Sequence, residues 1–336
     1  MTGRATVYDV AKAAGVSIKT VSRVVNGADN VTDETRRRVL EAVADLDYVR
    51  NAAAHSLRTG NSRAIGVVVD SLADPFFATL VSVVENRALA EGISVLVAST
   101  GRSAERERDQ VARLAGQNVA ALLLAPVDSD HSYLLDTAKG IPVVLIDRGW
   151  PDSGYDTVRV HDRGGARLAT EHLISYGHRR IAFMGDLPDL PTITNREGGY
   201  VDALNANGLT RDDVLIRPNC GETDTAAAAV AALLALPEPP TAIFASNQRA
   251  GMGAVRALHN AGRTDVALVT FGDFALADCL TPAITVIDQD PVPVAAAAAD
   301  RILARIDGKT PVPAEIVLPL TLIARGSGEV PPCFRS

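Results

Sequence analysis

The stretch TVYDVAKAAGVSIKTVSRVVN, residues 6–26, predicts two short helices joined by a tight turn. Thr6 can cap the first helix together with Asp9, three residues later, in the reciprocal pattern of a capping box. Gly15 supplies the turn, and Ser17 is a natural N-cap for the second helix. Apolar residues at helical spacing mark the face that packs inward. On the first helix these are Val10, Ala11 and Ala14.

The second helix has one apolar and one polar face. Such a polar face suits a helix-turn-helix protein, whose second helix lies in the major groove of DNA. Arg23 is the strongest candidate for a base contact, because a guanidinium can bond guanine O6 and N7 together, while Lys19 can donate to the same atoms and Ile18 can touch a thymine methyl. Periodicity alone also permits a small helical hairpin with a solvated charged face. The inner face holds Val21, Val24 and Val25, and the outer face holds Ile18, Lys19, Ser22, Arg23 and Asn26.

A third helix and an alanine-rich segment follow. Thr32 can cap the helix, which is expected to run to about Leu46. The arginines at 36–38 either contact phosphate or face solvent, since successive residues point in different directions. Residues 48–60, YVRNAAAHSLRTG, are too few to form a stable helix alone in water. This segment is either a conditional hinge or a featureless linker.

From residue 64 onward, strand and helix patterns alternate, which implies parallel sheets covered on both faces. Two such units of comparable length indicate two lobes, and ligands of such sheets bind beyond the carboxyl ends of the strands. Strands are expected at 64–70, 93–99, 119–125, 142–147, 180–185, 241–246, 266–271, 284–288 and near 315–323; helices are expected at 75–91, 103–117, 131–138, 164–176, 195–207, 223–236, 249–261 and 291–307.

These residues carry a family resemblance. VSIKTVSRVVNG (16–27) and NAAAHSLRTG (51–60) closely resemble the headpiece of the LacI/GalR family of bacterial transcription regulators. The resemblance extends over about residues 6–327. Its further motifs are IGVVV (65–69), DPFF (74–77), PVVLIDR (142–148), HLISYGHRRIAFMGD (172–186), REGGYVDAL (196–204), AIFASNQRAGMGA (242–254), LTPAITVIDQ (280–289) and LPLTLIARGS (318–327).

The resemblance implies the fold class. It is an all-α helix-turn-helix headpiece plus an α/β periplasmic-binding-protein-like core of two doubly wound parallel-sheet lobes. The implied domains are a headpiece at 1–47, a hinge helix or linker at 48–62, and an effector-binding and dimerisation core at 63–336. Within the core, the N-lobe takes about 63–158 plus 289–318, and the C-lobe about 159–288 plus 319–330.

The resemblance also implies how DNA is contacted. In the family the hinge segment folds on operator DNA, pairs in a dimer, and wedges a leucine into the minor groove; Leu57 matches that leucine. His55 stands where an arginine is common, so the hinge is not wholly typical. A dimer on a pseudo-palindromic operator is expected, without the family's tetramer-forming tail. The implied DNA-binding residues are Thr6, Tyr8, Ser17, Ile18, Lys19, Thr20, Ser22, Arg23, Asn26, Thr32, Asn51, Ala54, His55 and Leu57.

An effector pocket is expected where strand ends meet the cleft. Arg196 matches a family arginine that bonds effector, and Arg148 either adds positive charge at the rim or is solvated. Two residues depart from the family pattern: Gln248 stands where Asp is usual, and Gly272 replaces a pocket carboxylate. The loss favours a bulkier, an anionic or an otherwise atypical effector over an ordinary hexose. The candidate pocket residues are Asp70, Ser71, Phe76, Phe77, Asp147, Arg196, Asn247, Gln248, Asp273 and Gln289.

Composition limits the alternatives. The net charge is −7, but residues 1–60 carry a balance of +2, so the basic excess is local. The start of the chain lacks the apolar segment of a signal peptide, which predicts a cytoplasmic protein. The three scattered cysteines predict neither a disulfide framework nor a metal site, and no cofactor is expected besides the effector.

Two other functions are alternatives to a DNA-binding regulator. GMGAVR (251–256) is superficially like a dinucleotide loop, but Arg256 stands where the third glycine belongs, so an enzyme is disfavoured. The other alternative is a cytoplasmic small-molecule-binding protein without specific operator function. The sequence does not decide whether the protein represses or activates, or whether the effector is an inducer or a corepressor.

Overall fold

The computed structural model describes residues 5–25, 30–48, 64–128, 130–149, 153–309 and 312–333. The chain divides into two units, Met1–Ser62 and Arg63–Ser336. The predicted hinge contacts Asn51, Ala54, His55 and Leu57, together with the predicted base contact Asn26, lie outside the described residues.

The first unit is a small helical domain with its own apolar core. As predicted, Thr6 and Asp9 form a capping box, in which the Thr6 N–H donates to Asp9 Oδ2 at 2.8 Å. Gly15 then adopts a left-handed conformation with a φ of 62°, which ends the first helix and turns the chain. Buried residues from all three helices, Val10, Val21 and Val39 among them, form the core. The helices are α1 (Val7–Ala14), α2 (Ile18–Val25) and α3 (Asp33–Asp45).

The N-lobe of the second unit is a six-stranded sheet in which every neighbouring pair is parallel. Its strand order is β11-β5-β4-β3-β1-β2. Successive residues of β1 face opposite sides: Val67 packs in one apolar cluster with α4 and α11, and Val68 in another with α5 and α6. The elements are β1 (Ala64–Val69), α4 (Pro75–Ala90), β2 (Ser94–Ser99), α5 (Ala104–Gly116), β3 (Ala121–Leu124), α6 (Tyr133–Thr137), β4 (Val143–Ile146), β5 (Asp156–Val160), α11 (Pro291–Ile306) and β11 (Glu315–Leu318).

The C-lobe is a second six-stranded sheet, with the order β12-β10-β9-β8-β6-β7. Its pairs are parallel except β10 with β12, which is antiparallel. Phe183 packs on one face with α7 and α8, and Met184 on the other with α9 and α10, so this sheet too is doubly wound. The elements are α7 (Asp162–Ser175), β6 (Ile181–Met184), α8 (Pro191–Ala206), β7 (Ile216–Arg217), α9 (Thr223–Leu234), β8 (Ala242–Ala245), α10 (Gln248–Asn260), β9 (Ala267–Phe271), β10 (Thr285–Asp288) and β12 (Thr321–Ile323).

Three features differ from the sequence expectations. Strand β5 was not predicted, because its sequence DTVRV begins with a charged residue; Asp156 is nevertheless buried, since Arg301 and Arg305 both donate to it. Strand β7 has only two residues and leaves no periodic signal. Helix α8 begins at Pro191 rather than about residue 195, because proline is well accommodated at the first helical position.

No helix within the described ranges is long and apolar enough to cross a membrane.

Candidate functional site

Helix α2 presents the side chains predicted to contact bases. Lys19 and Arg23 are exposed, and Ser22 is half-buried. Ser17 fixes the start of the helix, because its hydroxyl accepts from the Thr20 N–H at 3.1 Å and lies 2.9 Å from the Thr20 hydroxyl. Two adjacent basic side chains therefore extend from a firmly capped helix.

Some of the other predicted DNA contacts in the first unit also stabilise its own helices and core. Thr6 and Thr32 cap α1 and α3, and their hydroxyls bond Asp9 and Thr35 respectively. Ile18 is half-buried and packs against the small core, so only part of its side chain can touch a partner. Tyr8, by contrast, is 69% exposed.

The arginines of α3 do not act alike. Arg38 donates to the Ala14 carbonyl at 2.5 Å, at the end of α1, where a cation is favoured by the helix dipole. Arg37 is exposed. Arg38 is therefore a structural residue of the headpiece, and Arg37 keeps its side chain available to solvent or a partner.

The carboxyl ends of the two core sheets border a cavity of about 60 Å³. At about 10–15 Å³ per water molecule, it has room for only a few waters. A small molecule of sugar size therefore requires the lobes to separate. The lining side chains are Asp70, Asp74, Phe76, Phe77, Arg102, Asp147, Arg148, Asp186, Leu190, Thr192, Ile193, Arg196, Asn247, Gln248, Arg249, Phe271 and Gln289.

Asp70 and Arg148 form a buried ion pair on the N-lobe side of the cavity. Arg148 donates to both carboxylate oxygens of Asp70, at 3.0 and 2.5 Å. Asp147 turns the chain with a left-handed φ of 64°, a conformation that aspartate tolerates better than most residues. Burial raises the pKa of Asp147 above its ordinary value, although Arg148 and Arg196 oppose the shift. The sequence left two alternatives for Arg148, a positive charge at the rim of the cleft or a solvated side chain. Neither is correct, because the ion pair with Asp70 keeps Arg148 buried.

Arg196 contacts several groups on the C-lobe side of the cavity. Its Nε donates to Asp162 at 2.7 Å, and an Nη donates to the Ser246 carbonyl at 2.6 Å. The guanidinium also lies over the Phe271 ring, 3.6 Å from its centre. Burial raises the pKa of Asp162 to about 6, against the opposing charge of Arg196. The arginine matched to a family effector contact is therefore also a structural residue.

Polar contacts connect the two lobes across the cavity. Arg102, which follows β2, donates to both oxygens of Asp186, which follows β6. Gln289 donates to Asp147 at 3.1 Å and accepts from Arg196 at 3.4 Å. These contacts hold the cleft in a closed arrangement through the chain's own side chains.

The structure brings eight of the ten predicted pocket residues to the border of the cavity, and the two that do not line it are Ser71 and Asp273. The Ser71 hydroxyl turns back to accept from the Ala73 N–H. Asp273 is drawn away by a two-bond ion pair with Arg325, at 2.9 and 2.5 Å. The predicted pocket residues did not include Arg102 and Asp186, although the strand-end rule applied to β2 and β6 finds both of them. The other lining residues that were not predicted are Asp74, Leu190, Thr192, Ile193, Arg249 and Phe271.

The two departures from the family pattern are neighbours in space. A Cβ atom added to Gly272 would lie 2.7 Å from Cγ of Gln248, and Gly272 has a left-handed φ of 85°. The space that a side chain at position 272 would take is therefore filled by Gln248. Glycine at this position does not enlarge the cavity, which removes one reason for expecting a bulkier effector.

The chain combines a capped helix-turn-helix unit, which has exposed basic residues, with a two-lobed α/β unit that encloses a polar cleft. This combination defines the class of ligand-responsive DNA-binding regulators. Comparison with known proteins agrees. A family model described as "Bacterial regulatory proteins, lacI family" matches residues 6–51, and one described as "Periplasmic binding proteins and sugar binding domain of LacI family" matches residues 62–325. The chain belongs to the LacI family, and it is a DNA-binding regulator controlled by a small-molecule effector.

Individual relatives cover nearly the whole chain. The transcriptional regulator CelR of Thermobifida fusca is 36% identical over 97% of this chain and 98% of its own. The transcriptional repressor PurR of Vibrio atlanticus (strain LGP32) is 32% identical over 91% of this chain and 93% of its own. Among solved structures, the Lac repressor dimer bound to operator and the anti-inducer ONPF matches with a TM-score of 0.87 at 28% identity, covering 97% of this chain and 99% of that one. The CelR–cellobiose complex matches with a TM-score of 0.72 at 33% identity, covering 96% and 100%.

Proposed function

We propose that the protein is a homodimeric transcriptional repressor of a pseudo-palindromic operator, and that an uncharged, sugar-like effector bound between the lobes controls its affinity for DNA. The observation that carries this proposal is the composition of the cavity. The aromatic rings of Phe76 and Phe77 border it beside amides and paired charges. Apolar ring faces pack on the carbon face of a sugar, and placed polar groups bond its hydroxyls.

The proposed effector bridges the lobes. Asp147 and Phe76 contact it from the N-lobe, and Arg196 and Asn247 from the C-lobe. The lobes then part to admit the ligand and close around it less tightly than in the ligand-free cleft, and only a difference in affinity between these two forms can shift the equilibrium between them. The structure of the CelR–cellobiose complex, which matches 96% of this chain, supports a sugar as the class of effector.

On the DNA side, we propose that Lys19 and Arg23 of α2 read base edges and that residues 48–62 form the hinge. A dimer matches its two-fold symmetry to the two half-sites of an operator. The Lac repressor dimer bound to operator is a precedent in the family. The site of action is then the cytoplasm, where bacterial DNA lies, and neither catalysis nor a cofactor is part of the proposal.

A binding experiment tests the whole proposal. The wild-type protein first selects duplexes from a random DNA pool, and sedimentation then measures the mass of the complex. We expect a palindrome-like site bound by two chains. Cellobiose, tested by thermal shift, is expected to raise the melting temperature, because a ligand of the native state stabilises it by mass action. A monomer on DNA, or a pool without enrichment, contradicts the operator part; a panel of neutral saccharides without any thermal shift contradicts the effector part.

A further inference from the structure

Five charged side chains from both lobes meet at one end of the cavity. Arg102 of the N-lobe binds Asp186 of the C-lobe, and its Nη1 also lies 3.7 Å from Oε1 of Glu222 in the C-lobe. Arg249 of the C-lobe has its Nη1 3.0 Å from the same Glu222 oxygen and its Nε 3.7 Å from Oδ2 of Asp74 in the N-lobe. These five residues form a cluster, the mouth cluster, that joins the lobes by three ion contacts.

Glu222 is the member of the mouth cluster that is most open to solvent. Its side chain is 53% exposed, whereas the side chains of Arg102 and Arg249 are 18% and 16% exposed. It precedes α9 and lies outside the lining of the cavity. Glu222 can therefore act on the position of the lobes, although it is not part of the surface that surrounds a bound ligand.

The carboxylate of Glu222 compensates a repulsion between two arginines. Arg102 and Arg249 approach the same oxygen atom from opposite lobes, and two guanidiniums at this separation repel each other. Without the negative charge of Glu222, each arginine would keep one aspartate partner, but the repulsion between the lobes would no longer be compensated. The charge of Glu222 thus favours the closed lobes.

Closure by the mouth cluster competes with ligand binding. The closed cavity of about 60 Å³ has room for only a few waters, so the lobes have to part before a sugar can enter. When only a fraction of the molecules can accept a ligand, the apparent affinity is lower by that fraction. Weakening the mouth cluster therefore increases the apparent affinity for the ligand.

Dissolved salt acts unequally on the contacts of the mouth cluster. Salt screens the attraction between exposed charges much more than the attraction between buried charges. The Asp186 side chain is 6% exposed, so its pair with Arg102 is shielded from salt, whereas the contacts of Glu222 are open to it. Salt is therefore expected to loosen the closure mainly through Glu222.

We propose that the Glu222 carboxylate holds the ligand-free cleft closed and thereby makes the affinity for an uncharged ligand increase with ionic strength. This inference rests on the proposed function, because it concerns the entry of a ligand into the same cleft. It adds a regulatory input, the salt concentration, that acts on charges of the protein and not on the ligand.

The first test needs no ligand. Small-angle scattering of the full chain, extrapolated to zero protein concentration, compares the wild type and Glu222→Gln at about 50 and about 500 mM NaCl. We expect Glu222→Gln to have the larger radius of gyration at low salt, and the difference to shrink at high salt as the wild type opens. Glu238→Gln is the matched control, because Glu238 is an exposed glutamate near Arg180 within the C-lobe, and it should follow the wild type. Equal radii for the wild type and Glu222→Gln at low salt overturn the inference.

The second test measures the affinity for cellobiose by calorimetry on the full chain. Cellobiose carries no charge, so screening by salt acts only on the charges of the protein. We expect the wild type to bind about threefold more tightly at the higher salt concentration. Glu222→Gln is expected to bind about threefold more tightly than the wild type at low salt, with little further change on adding salt. Glu238→Gln should keep the salt dependence of the wild type.

The outcomes separate the inference from the proposed function. If the wild type and Glu222→Gln bind cellobiose equally tightly at both salt concentrations, the inference is wrong and the proposed function stands. If neither cellobiose nor the other neutral saccharides bind, the effector part of the proposed function is wrong. The scattering comparison then decides by itself whether Glu222 holds the cleft closed.

Discussion

Arg102 and Asp186 lie on different lobes of the core and are joined across the cleft by two hydrogen bonds, of 2.7 and 2.8 Å. Asp186 also accepts from the Asn247 side chain at 3.0 Å and from the Leu187 N–H at 2.8 Å. A planar guanidinium facing a carboxylate is a geometrically specific pair. This pair is a direct link between lobes that must part for a ligand to enter.

The first prediction follows from this link. In a double-mutant cycle, Arg102→Met and Asp186→Asn should show a coupling of about 1–3 kcal/mol in the free energy of unfolding, because both side chains are largely buried. The control is Arg163 with Asp202, an exposed pair within the C-lobe, whose coupling should stay below about 1 kcal/mol. Small-angle scattering should show a larger radius of gyration for Arg102→Met than for the wild type, whereas substitutions in the Arg163–Asp202 pair should leave it unchanged. Additive effects of the two substitutions would argue against the link.

A second prediction concerns the buried pair of Arg196 and Asp162. Arg196→Met should destabilise the protein by about 3–5 kcal/mol, because Asp162 is then left buried without a partner. The double variant Arg196→Met/Asp162→Asn should recover part of this loss. Arg167→Met, which breaks an exposed pair with Glu171 on α7, should change the stability by no more than about 0.5 kcal/mol. Urea unfolding monitored by circular dichroism measures all three, and a double variant as unstable as the single one contradicts the argument.

A third prediction concerns DNA specificity. Arg23→Ala should reduce the preference for a selected operator over random DNA by about 1–3 kcal/mol for each half-site, because base contacts specify and phosphate contacts only position. The control, Arg37→Ala, removes an exposed arginine of α3 and should affect operator and random duplexes equally. Fluorescence anisotropy at several salt concentrations provides the comparison. Equal loss on both duplexes for Arg23→Ala would reject its role as a base reader.

The hinge yields a fourth prediction. Leu57→Ala should weaken operator binding by about tenfold or more and reduce DNA bending, because the apolar wedge in the minor groove is lost. Ligand affinity of the DNA-free protein should stay unchanged. Leu135→Ala, at an exposed leucine of α6, serves as the control. If Leu57→Ala retains full operator affinity and the same bend angle by gel phasing, the proposed division between hinge and cleft fails.

The fifth prediction is a pH dependence at His178, which is fully buried. Its Nε2 donates to the Val330 carbonyl at 2.7 Å, and its Nδ1 lies 3.0 Å from the Thr241 hydroxyl. Burial lowers its pKa below the ordinary value, so on acidification the unfolded chain takes up a proton before the folded chain does. The contribution of His178 to stability is present above the ordinary pKa of histidine, and it is lost as the pH falls through that value toward the lower folded pKa.

The measurement is urea unfolding at pH 7, 6 and 5. His178→Gln cannot take up a proton, so we expect the stability of the wild type, relative to this variant, to decrease as the pH falls. His259→Gln, at an exposed histidine of α10, should follow the wild type at every pH. A constant difference between wild type and His178→Gln across this range would show that His178 does not contribute the dependence.

The sequence by itself determined the features whose interacting residues are close along the chain. The caps of α1, α2 and α3 bond residues three positions apart, so the pattern of Thr6 and Asp9 or of Ser17 and Thr20 predicts them directly. The alternation of strands and helices likewise predicted two parallel-sheet lobes, and the ends of the strands predicted where the cavity lies.

Only the tertiary structure decided which side chains neutralise one another, because those partners are far apart in sequence. Asp156 is buried in a strand because Arg301 and Arg305 reach it from α11, and Asp273 leaves the cavity because Arg325 binds it. Position along the chain determines only the neighbours of a residue in sequence, whereas the packing of segments that are distant in sequence decides which other side chains it contacts. The same holds for Gln248 and Gly272, two separate departures from the family pattern in the sequence that become a single arrangement in the folded cleft.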